Sequence, residues 1–138
     1  MAGGKSQYLN NKFLNLVFNA TAYTAASPIF CALYTVTPSD TTSGTEVANT
    51  NGYARVSIVP NNTNFGTSTL STLSNSVAII FPTATTGGWG TIVAAAFLDL
   101  ATYGGGNMLY WGPLGSSVTV NVGNTFEFLA AGFSASES

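Results

Sequence analysis

The ionisable side chains of this sequence are few and widely spaced, which limits the chemistry that the chain can perform. Its 138 residues include no histidine, so the commonest general base and the commonest metal ligand are missing. Calcium requires clustered oxygen ligands, whereas the acidic residues here are isolated in sequence: Asp40, Glu46, Asp99, Glu127 and Glu137. A fold can bring two carboxylates together for glycoside hydrolysis, but this spacing does not support such a pair. We predict no enzyme activity, no catalytic residue, no metal and no cofactor.

The low charge of the chain indicates protein partners. Only 6% of the residues are charged, against about 25% in typical soluble domains. The three basic residues, Lys5, Lys12 and Arg55, cannot form a patch that neutralises several phosphates. No apolar run reaches the roughly 18 residues that span a bilayer. We therefore expect neither nucleic acid nor membrane as a partner, and a surface that other proteins largely cover.

Arg55 is the most informative of the charged residues. It lies in the middle of a predicted strand, where a buried guanidinium requires a partner. The candidates are Asp99, at the end of a long apolar strand, and Glu46, in the preceding loop. We predict a structural salt bridge that ties this loop to the sheet. A contact between subunits is the alternative.

Apolar and aromatic side chains at two places are candidates for an interface. In residues 7–18 they recur with the period of an α-helix, behind Ser6 as an N-cap. This helix is expected to lie on the sheet or on a neighbouring subunit. The second group lies in predicted strands, where aromatic residues belong to the core or an interface, or stack on a sugar if exposed. The interface candidates are Tyr8, Leu9, Phe13, Leu16, Val17, Trp89, Tyr110 and Trp111.

The rest of the chain is predicted to form strands separated by polar turns. Residues 89–99 and 107–114 form a central hairpin around the glycines at 104–106, with Val93 and Phe97 on one apolar face and Ile92 on the other. Further strands are expected at 28–36, 53–59 and 77–81, and Gly123-Asn124 joins 117–122 to 125–131 as a second hairpin. Residues 60–76 form a polar excursion, which is expected to be anchored by Phe65, Leu70 and Leu73.

These elements predict a mainly β fold with one N-terminal helix and about seven strands. Turn signals between successive strands favour an antiparallel β-sandwich or barrel, jelly-roll-like in its connections. At this length we expect a single domain over residues 1–138. The single cysteine, Cys31, excludes an internal disulfide framework and is expected to be a buried core residue.

Short blocks distributed along the chain carry a family resemblance. In order they are Tyr8-Leu9, Ala32-Leu33-Tyr34-Thr35, Thr37-Pro38-Ser39-Asp40, Gly44-Thr45-Glu46-Val47, Gly52-Tyr53-Ala54-Arg55, Phe81-Pro82, Trp89-Gly90, Ala96-Phe97-Leu98-Asp99, Gly106-Asn107 with Leu109-Tyr110, and Gly123 before Thr125-Phe126. With these blocks the sequence resembles, over nearly its whole length, a family of small tailed-phage virion structural proteins that are often described as tail fibre or head decoration proteins. The resemblance implies a virion component assembled in the host cytoplasm, and it supplies no catalytic motif.

Three virion roles are compatible with that resemblance. A fibre tip is normally joined to a long repetitive shaft, and this sequence shows no such repeat. We therefore expect a capsid decoration (cement) protein that binds the outside of the head and stabilises capsomer contacts. Its expected partners are the major capsid protein and copies of itself, with a homotrimer favoured. The alternatives are a receptor- or glycan-binding module of a tail fibre or tail tip, and a neck or tail-completion protein.

Overall fold

The fold is mainly β with antiparallel sheets, as predicted. The computed structural model describes residues 3–137, and about 39% of the chain is strand and 12% helix. The helices are α1 (Gln7–Phe18) and α2 (Asn62–Phe65). The strands are β1 (Gly4–Lys5), β2 (Ile29–Val36), β3 (Thr45–Glu46), β4 (Val56–Ile58), β5 (Thr72–Ser74), β6 (Ile79–Thr83), β7 (Gly90–Leu98), β8 (Met108–Val120), β9 (Thr125–Phe128) and β10 (Ser134–Ser136).

One six-stranded sheet forms the larger layer. Its strand order is β1-β8-β7-β2-β3, and β4 also pairs with β2. The predicted central hairpin is confirmed as β7 and β8, and Gly104 and Gly106 in its turn have φ angles of +71° and +84°, which glycine adopts without steric cost. The described residues form ten strands instead of about seven. The predicted strands 107–114 and 117–122 are one continuous strand, β8, and four strands of two or three residues were not predicted: β1, β3, β5 and β10. Segments this short leave no periodic pattern in the sequence.

Two small sheets form the opposing layer of an open, sandwich-like fold. β6 pairs with β9, and β5 pairs with β10. The main core combines residues from the large sheet, among them Leu33 and Phe97, with residues from the opposing layer, such as Phe81 and Phe128. A second cluster around Ala96 contains residues of β2 and β7 that alternate with those of the main core. The central strands are therefore apolar on both faces, as the sequence predicted.

A β-bulge in β7 changes which of its residues face the main core. Strict alternation places Val93 with Phe97 and puts Ile92 on the opposite face. In the structure the register between β7 and β8 shifts between Ile92 and Ala94. Ile92 joins Phe97 in the main core, and Val93 packs against the second cluster. This part of the prediction is wrong, because one extra residue in a strand inverts the alternation on one side of the bulge.

The second predicted hairpin is also wrong. Gly123 turns the chain with a φ of +81°, but the strands on its two sides belong to different sheets. The last residues of β8 pair with β7, with Val118 opposite Ile92. β9 pairs with β6 instead, with Phe128 opposite Ile79. Both segments alternate in the same way, so the sequence pattern alone does not identify the strand with which each one pairs.

Residues 60–76 are held by a polar side chain that the sequence analysis did not single out. Asn75 is buried, and its Nδ2 donates to the carbonyl oxygens of Val77 and Leu129, each at 2.8 Å. Its Oδ1 accepts from the backbone N–H of Phe133 at 2.8 Å. One asparagine thus joins the end of β5 to the start of β6 and to the segment before β10.

Two of the three predicted anchors of this excursion are correct. Phe65, at the end of the short helix α2, is buried, and Leu73 packs against the main core. Leu70 is 99% exposed in a turn where its φ is +50°, so its predicted anchoring role is wrong. The helix α2, which we did not predict, begins because Asn61 Oδ1 accepts from the N–H groups of Thr63 and Asn64 at 3.0 and 2.9 Å.

Candidate interaction surface

Arg55 forms the buried ion pair of the structure with Glu46. Its Nε and Nη2 donate to the two carboxylate oxygens of Glu46 at 2.8 Å each, and the two side chains are 3% and 8% exposed. Nη1 donates to the carbonyl oxygens of Leu100 and Gly105 at 2.6 and 3.0 Å. The guanidinium therefore ties β3 to the turn after β7. Its hydrogen bonds to Glu46 raise the pKa of Arg55 above its ordinary value.

Asp99, the other predicted partner of Arg55, has a different role. Its carboxylate accepts from the backbone N–H of Asn107 at 2.6 Å and from Asn107 Nδ2 at 2.8 Å. These bonds close the turn between β7 and β8. The predicted pairing of Asp99 with Arg55 is thus wrong, because the geometry of the hairpin turn places an asparagine next to this carboxylate.

Tyr53 extends the Arg55–Glu46 pair into the large sheet. Its hydroxyl donates to Glu46 Oε1 at 2.9 Å and accepts from the backbone N–H of Leu33 at 3.0 Å. Burial and the negative charge of Glu46 raise the pKa of Tyr53 well above its ordinary value. The same two causes raise the pKa of Tyr34, on β2, to about 12.

We expect the protein to lose stability as the pH rises from about 10 toward 12, because an unfolded tyrosine ionises near pH 10. In that interval the unfolded chain releases protons that folded Tyr34 and Tyr53 retain, so the free energy of unfolding falls with pH. Urea unfolding at pH 8 and pH 11 measures the difference. Tyr53→Phe removes one of the titrating groups and should reduce this dependence on pH. A free energy of unfolding that stays constant over the interval would contradict the expectation.

The three aromatic interface candidates in the strands do not form an exposed platform. Trp89 is buried in the main core, and its Nε1 donates to the carbonyl oxygen of Asn51 at 2.9 Å. The expectation that Trp89 lies at an interface is therefore wrong. Tyr110 and Trp111 are partly buried, and their polar atoms donate to carboxylates of the same chain, Tyr110 to Glu137 and Trp111 to Asp40. This arrangement does not favour stacking of a sugar on all three rings.

The hydrogen bonds that attach the helix α1 to the rest of the fold, referred to as the β body, lie at the N-terminal end of the helix, and Lys5 Nζ also lies 4.9 Å from the ring of Phe13. Ser6 is the predicted N-cap: its Oγ accepts from the N–H of Leu9 at 3.2 Å and donates to the carbonyl oxygen of Met108. The backbone N–H of Ser6 donates to the carbonyl oxygen of Leu109 at 2.9 Å. These contacts fix the first turn of α1 against β8, and residues 19–28 then return the chain to β2.

Beyond its first turn, α1 carries apolar side chains that the β body does not bury. No residue of α1 is buried, so beyond its first turn the helix does not lie on the sheet. Its expected placement on a neighbouring subunit stays a prediction. The large apolar residues from position 13 onward are between 45% and 78% exposed. They are Phe13, Leu14, Leu16, Val17 and Phe18. We refer to them as the apolar face of α1, and to residues 6–28 as the arm.

An apolar groove of about 580 Å³ lies beside the arm. Leu9 and Tyr23 of the arm line it. Its lining residues from the β body include Phe65, Leu73 and Phe133. The other lining residues are Ile29, Pro60, Asn61, Asn62, Gly66, Ser68, Ser71, Phe97, Leu109, Tyr110, Ala135 and Glu137. The groove therefore adjoins the first turn of α1, which precedes the apolar face in the chain.

Two lining residues of this groove, Tyr110 and Glu137, belong to a small polar cluster. The ammonium group of Lys5 lies 2.7 Å from Glu137 Oε2, and Tyr110 donates to the other oxygen of the same carboxylate. Burial raises the pKa of Glu137, but the hydrogen bonds from Lys5 and Tyr110 lower it further, so its net shift is downward. Burial and the bond to Glu137 raise the pKa of Tyr110. Glu137 therefore stays ionised and Tyr110 neutral at neutral pH.

Residues 3–137 were also searched for a metal site, a membrane-spanning helix and further grooves. No cluster of three or more histidine, cysteine, aspartate or glutamate side chains there is placed to hold a metal ion. Nor is either helix of this range long and apolar enough to cross a membrane. A second groove of about 620 Å³ lies between β8 and β9, but the arm does not contribute to it.

The sequence analysis found only part of the interaction surface. It named Phe13, Leu16 and Val17 on α1 as interface candidates. Leu14 and Phe18 widen the same apolar stripe in the sequence but were not among the candidates. It did not predict the groove. The groove residues come from distant segments, so no local signal in the sequence brings them together.

One comparison with known proteins bears on this surface. A family model described as Podophage GP4 fiber I protein gp80 matches residues 4–136, which include the arm, the Arg55–Glu46 pair and almost all of the groove. No curated protein matches the chain.

Proposed function

The chain belongs to the Podophage GP4 fiber I protein gp80 family and is a structural component of the phage virion, and we propose that it is a fibre-associated subunit that works by binding other virion proteins. The observation that carries this proposal is the exposed apolar face of α1. A helix of twelve residues is marginally stable in water unless its apolar face packs against something. A protein partner supplies that packing. The resemblance to virion structural proteins that the sequence indicated is confirmed.

The capsid decoration role is the second candidate. A β body with an apolar arm attached at one end suits a clamp between adjacent subunits of a shell, and many weak contacts add up over many copies. In this role the partners are the major capsid protein and copies of the chain itself, as a homotrimer. The description of the matched family names a fibre, and for that reason we place decoration second.

The position and copy number of the protein on the particle test both candidates. Cryo-electron microscopy of intact virions, with quantitative mass spectrometry of their proteins, measures the two quantities. We expect a small number of copies in the fibres. Hundreds of copies on the head would replace the fibre role with the decoration role, and a single ring at the neck would support a completion protein. Absence of the chain from purified virions would contradict all three roles.

We expect that Phe13→Asn combined with Leu16→Asn reduces incorporation into virions by at least about tenfold, because one factor of ten requires only about 1.4 kcal/mol of binding energy. The stability of the β body should change little, since both side chains are exposed. Complementation of a phage that lacks the gene measures incorporation, and thermal unfolding measures stability. Asn11→Ala, on the polar side of α1, is the matched control. Normal incorporation of the double variant would show that the apolar face is not a binding surface.

A further inference from the structure

The second groove, between β8 and β9, is lined by the edges of two strands. Four consecutive residues of β9 line it, 125–128, and so do four consecutive residues of β8, 113–116. The side chains of successive residues in a strand point to opposite faces of the sheet. A consecutive run therefore borders the groove along the edge of its strand, where the backbone N–H and C=O groups lie.

Both edges lack a neighbouring strand within residues 3–137. β9 pairs with β6 alone. β8 pairs with β7 on one side, and on its other side β1 pairs with it only at Tyr110 and Trp111. The backbone groups along these two edges are the hydrogen-bonding groups that an added strand uses.

The fit of β8 against β7 leaves further backbone groups beside the groove. The register between the two strands shifts between Pro113 and Val118, so residues 114–117 lie opposite Val93 alone. One residue offers a single N–H and a single C=O, so Val93 cannot bond to all of them. This stretch of β8 therefore has backbone groups available to a strand in the groove.

The charge beside the second groove indicates what such a strand carries. Glu127 is the one charged residue that lines the groove, and it is exposed. The ion pairs of residues 3–137 are Lys5–Glu137 and Arg55–Glu46, so Glu127 belongs to neither. Oppositely charged side chains on neighbouring strands attract each other. A lysine or arginine on the added strand therefore finds its partner in Glu127.

We propose that the second groove binds an extended, basic segment of another protein, which adds as a strand between β8 and β9. Main-chain hydrogen bonds hold the segment, and Glu127 selects for its positive charge. The inference goes beyond the proposed function, because this surface is separate from the apolar face of α1.

A second copy of this chain does not supply such a segment. Its own strands β8 and β9 contain no lysine or arginine, and a second β9 brings another Glu127, whose like charge is repelled. Lys5 and Arg55 are bound by carboxylates of their own chain, and Lys12 lies in the helix α1. The occupant is therefore a segment of a different protein.

Selection from a random peptide library tests this proposal. The full chain is immobilised, and displayed peptides of about eight residues, which extend over about 26 Å, are selected for binding. Peptides that also bind Gly115→Trp are discarded, because this variant obstructs the groove. A Cβ atom at Gly115 meets no atom beyond its chain neighbours within 4 Å, so the new side chain enters open space. Circular dichroism verifies folding, and Ser116→Trp, at an exposed lining position, replaces Gly115→Trp if the latter is unfolded.

We expect the selected peptides to contain lysine or arginine. Their affinity, measured by isothermal titration calorimetry, should fall at least about tenfold for Glu127→Lys, and by a similar factor when alternate backbone nitrogens of the peptide are methylated. Thr102→Trp and Asn11→Lys are the matched controls for added bulk and added charge, since both residues are exposed and neither lines the groove. Both controls should bind the peptides as the wild type does.

A selection that yields no peptide dependent on the groove would overturn the proposal. Peptides that bind equally well after backbone methylation, or equally well to Glu127→Lys, would do the same. Self-association of the wild type that Gly115→Trp abolishes would also overturn it, because the groove would then hold a second copy.

Discussion

Replacement of Arg55 by alanine should destabilise the protein by about 3 kcal/mol or more, which is the usual cost of breaking a buried ion pair on one side. Two terms contribute to this loss. The carboxylate of Glu46, 8% exposed, is left without its guanidinium partner, and the carbonyl oxygens of Leu100 and Gly105 lose their donor. Urea unfolding at neutral pH measures the change as a shift of the midpoint at constant slope.

Two further variants identify the cause of that loss. Lys12→Ala removes a cation from an exposed position on α1 and should change the stability by no more than about 0.5 kcal/mol. Adding Glu46→Gln to Arg55→Ala removes the orphaned charge and should recover part of the stability, because an unpaired buried charge costs more than an unpaired buried amide. An unchanged midpoint for Arg55→Ala would show that the pair does not stabilise the fold.

Replacement of Asn75 by alanine should cost about 3–5 kcal/mol, because three backbone groups lose their partner and each unsatisfied group costs about 1–3 kcal/mol. The groups are the carbonyl oxygens of Val77 and Leu129 and the N–H of Phe133. A methyl group at this position makes none of these hydrogen bonds. The measurement is again urea unfolding.

An asparagine without this role provides the matched control for Asn75. Asn49 is exposed in a loop, so Asn49→Ala should be nearly neutral. Asn75→Asp retains an acceptor for the N–H of Phe133 but loses both donors, so it should also be clearly destabilising. Stability of Asn75→Ala within 1 kcal/mol of the wild type would mean that water replaces the lost side chain and that Asn75 is not an anchor.

Those parts of the fold that depend on residues close together in the sequence could be predicted from it. The helix α1 has its predicted bounds because Ser6 caps its first turn and Asn19 follows its last one. The hairpin of β7 and β8 is correct because glycines occupy its turn. By contrast, the bulge between Ile92 and Ala94 depends on how β7 fits against β8. Such a fit is a property of two strands and leaves no signal in one of them.

The candidate interaction surface was likewise predictable only where its residues are close together in the sequence. The apolar spacing in residues 7–18 predicted the face of α1, but the sequence did not decide whether that face lies on the sheet or outside it. For Arg55 the sequence left Asp99 and Glu46 as alternatives, since the choice depends on the turn between β7 and β8, which places Asn107 beside Asp99. The groove combines residues from Leu9 to Glu137, so its existence follows from the topology alone.

The pairing of β1 with β8 has a consequence for the order in which the molecule takes shape. Gly4 lies opposite Trp111 and Lys5 opposite Tyr110, and the cap residue Ser6 is 102 positions from the carbonyl group that it contacts. During synthesis the arm therefore emerges before β8, and its first turn can be held in place only after β8 has emerged. Chains that end before β8 lack the carbonyl groups of Met108 and Leu109 that hold Ser6, so α1 has no fixed attachment in them.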